Sequence, residues 1–165
     1  MEMREVFTRD GTPTGKIVEK HAQRNADEYL LHTLVILRNR EGKYMLQQRS
    51  LKARFFAGLW DTTGGGVQAD ETSRQAAVRE VYEELGVTIR EEDLRFLFRE
   101  VNERGKLIVD TYGTLAEEPE GGFRPAETEV NDVKLVSYDE YAEAVLPNRT
   151  AAFREALERW EKTCG

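Results

Sequence analysis

Cysteine is almost absent from this chain: Cys164 is the only one in 165 residues. A single thiol excludes an intramolecular disulfide, so a reducing cytoplasm is the expected home. No apolar run approaches the roughly 20 residues that cross a bilayer. The N-terminal string MEMREVFTRD also lacks the apolar region of a signal peptide. Basic charge is in deficit, with 24 Lys and Arg against 31 Asp and Glu and a formal net charge of −7. Without a basic excess to release counterions, general binding to nucleic-acid backbones is not expected. Small phosphorylated ligands need only local positive charge and are not excluded. No repeat, low-complexity tract or linker divides the sequence, so residues 1–165 are expected to form one domain with a substantial core.

What the chain does have is concentrated in residues 65–87, GGVQADETSRQAAVREVYEELGV. The spacing is G-x5-E-x7-R-E-U-x-E-E-x-G-U, with U apolar, filled by Gly65, Glu71, Arg79, Glu80, Val81, Glu83, Glu84, Gly86 and Val87. At background residue usage, a chain of this length would show it by chance with odds on the order of one in ten million. Glu80, Glu83 and Glu84 stand at i, i+3 and i+4, which on a helix places three carboxylates on one face. Like charges at that spacing disfavour a helix, and Arg79 offsets only part of the repulsion. A rigid set of carboxylates is what a hard divalent cation takes, with Mg2+ also held by waters and substrate phosphates.

The flanks frame that helix. Asp70 is an N-cap candidate, Ala76, Ala77 and Val81 form an apolar stripe, and Gly86 suits the left-handed position that ends a helix. Gly64, Gly65 and Gly66 read as a loop without side chains, where backbone groups can approach a phosphate or cation.

The segment resembles the signature of the Nudix hydrolase family and matches it at every fixed position. That resemblance implies an α/β fold, an α/β/α sandwich around a mixed central sheet, and Mg2+- or Mn2+-dependent hydrolysis of diphosphate linkages. It implies Glu83 and Glu84 as principal metal ligands and Glu80 as a further ligand or the base that activates water. It also implies Glu71 and Arg79 as the pair that orients the site, and the carbonyl of Gly64 or Gly65 as a possible completion of the metal shell. Thr63 stands where many members have Pro.

Residues 10–60, including DGTPTGKIVEKHAQRNADEYLLHTLVIL, GKYMLQQRS and FFAGLW, resemble the isopentenyl-diphosphate isomerase branch of the same superfamily. That isomerase needs a Cys just after the Trp-containing strand, and this chain offers only Cys164. It also needs several His ligands, and only His21 and His32 are present. His32 falls at one ligand position, Arg24 and Val67 replace others, and Asp110 and Tyr112 occupy two later Glu positions. The architecture therefore resembles the isomerase and the site a hydrolase. An isomerase-type enzyme and a non-catalytic ligand-binding regulator are the alternatives.

Along the remainder, residues 5–8 and 16–20 read as a hairpin. Strands are expected at 31–38, 43–49, 94–101, 107–115 and 133–136. Ser137 to Glu140 has the form of a capping box for a helix that stops before Pro147, and Phe153, Ala156, Leu157 and Trp160 recur at helical spacing. Arg49, Lys52 and Arg54 are candidates to meet substrate phosphates, with Gly64, Gly65 and Gly66. Glu127 or Glu129 is a candidate for one further carboxylate. The expected partner is a small phosphorylated substrate, with no membrane and with a homodimer the one protein partner allowed for.

Overall fold

The computed structural model describes residues 1–165. Strands β1 (Met3–Phe7) and β2 (Pro13–Glu19) form a separate two-stranded antiparallel hairpin. The main sheet contains β3 (Leu30–Arg38), β4 (Tyr44–Arg49), β5 (Trp60–Asp61), β6 (Thr63–Gly66), β7 (Arg95–Asn102), β8 (Leu107–Leu115) and β9 (Val130–Val136). It is mixed, because β3 runs parallel to β8 while its other ladders are antiparallel. Helix α1 spans Ser73–Leu85, α2 Tyr138–Val145 and α3 Ala151–Cys164.

Alternation along the central strands produces the three layers. Val35, Leu37 and Met45 pack with Ala77, Val81 and Leu85 of α1. Their neighbours Ile36, Tyr44 and Leu46 pack with Tyr141 and Val145 of α2 and Phe153, Leu157 and Trp160 of α3. The expected α/β/α sandwich with a mixed sheet is what the chain adopts. The capping box at Ser137 and Glu140 is present, and α2 ends at Val145, ahead of Pro147.

Two expectations need correction. The cap of α1 is Thr72, not Asp70: Thr72 accepts from the Gln75 N–H, and the Gln75 side chain accepts from the Thr72 N–H. This reciprocal box satisfies two otherwise unpaired donors, more than Asp70 could from two residues outside. The glycine triplet is also not a loop. It lies in β6, with Gly64, Gly65 and Gly66 paired to Leu34, Thr33 and His32 of β3. Strand propensity is low for glycine, but a ready-made partner strand overrides it.

The sheet splits beside these glycines. β3 and β4 pair only where Arg38 meets Tyr44. Beyond that point β3 continues with β6, and β4 with β5 and β9. The V-shaped opening exposes β6 and the carboxylate face of α1.

Candidate active site

A cleft of about 570 Å³ occupies this opening. It is lined by Gly64, Gly65 and Gly66 from β6, Arg79, Glu80, Glu83 and Glu84 from α1, and Arg49 and Arg54 from the end of β4 and the following loop. The residues named from sequence as catalytic, substrate-binding or metal-ligating line it, apart from Glu71, which stands behind Arg79, and the loop residue Lys52.

Within the cleft, oxygens of Glu80, Glu84 and Glu129 all lie within 4.8 Å of one another. Glu80 and Glu84 are buried one helical turn apart, while Glu129 reaches in from the loop before β9. Of the two carboxylates considered outside the helix, Glu129 is therefore the one in the cleft and Glu127 is not. Glu83, expected among the principal ligands, instead sits at the rim with Oε2 3.2 Å from Arg79 Nη1. The i+3 position rotates it toward solvent, whereas i and i+4 stay aligned.

The buried carboxylates are held in place. Glu84 accepts from Gln47 Nε2 at 2.8 Å and from the Gly64 N–H at 3.0 Å, so it is tied to both arms of the split sheet. Arg79 donates to Glu80 Oε1 at 2.8 Å, to the Gly66 carbonyl at 3.0 Å and to both oxygens of Glu71. Glu71 also accepts from the Gln68 N–H. The glycines are required by close approach. A Cβ on Gly65 would stand 2.4 Å from the Glu80 carboxylate, and one on Gly64 would stand 2.3 Å from the Thr33 carbonyl.

Burial raises the pKa of Glu80 to about 7, reinforced by Glu83 and Glu129 and opposed by Arg79. Burial likewise raises Glu84 to about 8, with the charges of Glu80 and Glu129 adding to it. Three crowded oxygen donors whose negative charges repel one another fit a hard divalent cation such as Mg2+ or Mn2+.

His32 lines the cleft but belongs to no carboxylate cluster, and burial with nearby Arg4, Lys20 and Arg24 lowers its pKa to about 4. Asp110 is buried against Arg99 at 2.6 and 3.0 Å, and Tyr112 shares a hydrogen bond with Ser73. Neither borders the cleft, and Cys164 borders a different cavity beside Trp160. Sequence reasoning missed Gln47, Arg4 and Lys20. A charged residue at an inward position of β1, where Arg4 alternates with Val6, was the available signal.

Comparisons agree with this geometry. The chain is 43% identical over 58 residues to the CTP pyrophosphohydrolase of Escherichia coli K12, covering 35% of this chain and 42% of that protein. It is 35% identical over 105 residues to an uncharacterised Nudix hydrolase of Listeria innocua, covering 62% and 60%. The chain thus spans less than two thirds of the length of either relative. A crystal structure from Deinococcus radiodurans superposes with a TM-score of 0.71 at 20% identity, covering 96% of this chain and 98% of that one. With a NUDIX domain model matching residues 28–160, the chain belongs to the Nudix family.

Proposed function

We propose that this protein is a Mg2+- or Mn2+-dependent hydrolase that cleaves a diphosphate linkage in a nucleoside diphosphate derivative or related phosphorylated metabolite. The observation that carries this reading is the group of three carboxylates within 4.8 Å, set in a cleft that also holds Arg49 and Arg54. Glu80, Glu84 and Glu129 would hold the ion, with Glu83 beside it at the rim. When bound, the ion supplies charge neutralisation on the diphosphate and a water of lowered pKa. Glu80, at the site the ion would take, is the candidate to accept the proton of the attacking water. Glu71 fixes the Arg79 guanidinium, and Arg79 in turn fixes Glu80 against β6. Arg49 and Arg54, which line the same cleft, would meet the anionic substrate. The name of the E. coli relative makes pyrimidine nucleotides the first compounds to try. A single cysteine favours a reducing cytoplasm as the protein's home, and no helix is long and apolar enough to cross a membrane.

The test is a metal-dependence assay over a panel of nucleoside triphosphates, nucleotide sugars, dinucleotides and isopentenyl diphosphate. Release of phosphate, diphosphate or nucleoside monophosphate from at least one compound, abolished by EDTA, is expected. Isomerisation of isopentenyl diphosphate without any hydrolysis would overturn it. Metal-dependent ligand binding with no turnover would favour the regulator.

A further inference from the structure

The β1–β2 hairpin precedes the part of the chain matched by the family model, yet it reaches the cleft with Glu2, Arg4 and Lys20. Arg4 is buried to 3% exposure, and its Nε and Nη1 have no hydrogen-bond partner. Its only ion pair is through Nη2, 3.1 Å from Glu2, whose same oxygen lies 3.3 Å from Lys20 Nζ. A buried guanidinium with unused donors is costly to retain. It is a side chain that a fold meant only for stability would replace by an apolar one.

Gly66 shows that the position is built. The place where its Cβ would stand is already taken by Arg4, with Nη1 1.3 Å away. Successive residues of a strand face opposite sides. Gly65 therefore leaves room for the Glu80 carboxylate on the α1 side, and Gly66 leaves room for Arg4 on the other. The carboxylate cluster and the Arg4 guanidinium are thus arranged on the two faces of one short strand, and both line one cleft.

We propose that Arg4, supported by Lys20, is a second anion subsite that binds the phosphoryl group of the substrate lying away from the carboxylate cluster, and that the hairpin is therefore a determinant of substrate specificity. The Glu2 carboxylate, touching both cations, shows that an anion fits between them. This inference rests on the hydrolase reading but makes a separate demand, since the carboxylates alone would suffice to hold a metal.

The test compares the parent protein with Arg4→Met and Arg4→Lys by titration with imidodiphosphate, a diphosphate that resists hydrolysis, with and without Mg2+. A parallel Mn2+ titration and a thermal melt in EDTA are run on each. For Arg4→Met the subsite predicts imidodiphosphate binding weaker by roughly tenfold to a hundredfold, as for loss of a charge-assisted pair. Mn2+ affinity should stay within about twofold, as expected for a site that does not share ligands with Arg4. The melting temperature should be equal or higher, because two buried donors without partners are removed while Glu2 keeps Lys20. Arg4→Lys should recover part of the affinity as a point charge, and it carries the test should Arg4→Met fail to fold. Unchanged imidodiphosphate affinity in the variants would overturn the subsite, as would a lower melting temperature with affinity intact. A parent protein that binds Mn2+ but no imidodiphosphate refutes the subsite alone. A parent that binds neither refutes the metal-site reading as well.

Discussion

Replacing Glu84 by Gln keeps the shape of the side chain and removes its charge. In the metal-free protein the change costs little below about pH 8, where burial keeps Glu84 protonated, and above it relieves repulsion with Glu80 and Glu129. Gln47, whose Oε1 is unpaired, can turn its amide to meet the new one. In EDTA the variant should therefore melt at the parent temperature or slightly higher. Mg2+ should stabilise it less, and turnover should fall by at least about a hundredfold. A clearly lower melting point with turnover retained would make Glu84 a structural residue. Glu71 makes the opposite case. It touches Arg79 and no other carboxylate of the site, so Glu71→Gln should slow turnover by roughly ten to a hundredfold while Mn2+ affinity stays nearly constant. Loss of Mn2+ binding in that variant would place Glu71 among the ligands. At this scale the helical residues were legible because their neighbours are fixed by a period of 3.6. Arg4 was not, because the Gly66 backbone it packs against is distant in sequence and brought near only by the hairpin.

Among the elements, β6 and α1 define the site together. The three glycines differ in what a methyl group would meet, and substitution should separate them. In Gly65→Ala the new Cβ meets the end of a side chain, Glu80, which can swing aside, so turnover should drop by about tenfold or more with a modest change in melting temperature. In Gly64→Ala it meets the Thr33 backbone carbonyl, which cannot, so stability should fall by about 1–3 kcal/mol. Equal losses of stability in the two variants, measured by chemical denaturation, would contradict this distinction. α1 itself was legible from periodicity and its terminal Gly86, and its start was legible too, since Thr72-x-x-Gln75 is a box signature more complete than Asp70 alone. β6 was not, because a strand of glycines carries no side-chain pattern and owes its existence to β3.

For the molecule as a whole, the buried carboxylates set how stability responds to pH. Glu80 and Glu84 have folded pKa values of about 7 and 8 against an ordinary 4.5, so the native state holds the extra protons between those limits and loses stability as pH rises through them. His32, lowered to about 4 from 6.5, acts in the opposite sense, costing stability as pH falls below 6.5. In EDTA the melting temperature should therefore decline gently from about pH 4.5, where His32 offsets part of the loss, more steeply above about 6.5, and level off above about 8, and saturating Mg2+, which binds the ionised carboxylates, should flatten or reverse the decline. A flat profile in EDTA would mean that both glutamates ionise normally. The sandwich was foreseeable from the order of apolar alternation and helical periods, but the parallel pairing of β3 with β8 joins segments about seventy residues apart, and no local pattern announces such a partner. The hairpin shares no ladder with the main sheet: its backbone pairs beside that sheet at one isolated bridge, Phe7 with Tyr29, and its Val6 and Val18 pack on Leu30. On the proposed reading, bond-breaking and ligand choice are written on different stretches of polypeptide. Such a chain is a tool with an exchangeable jaw: recombination that swaps the first twenty or so residues would change what is gripped while leaving the cutting edge inherited intact.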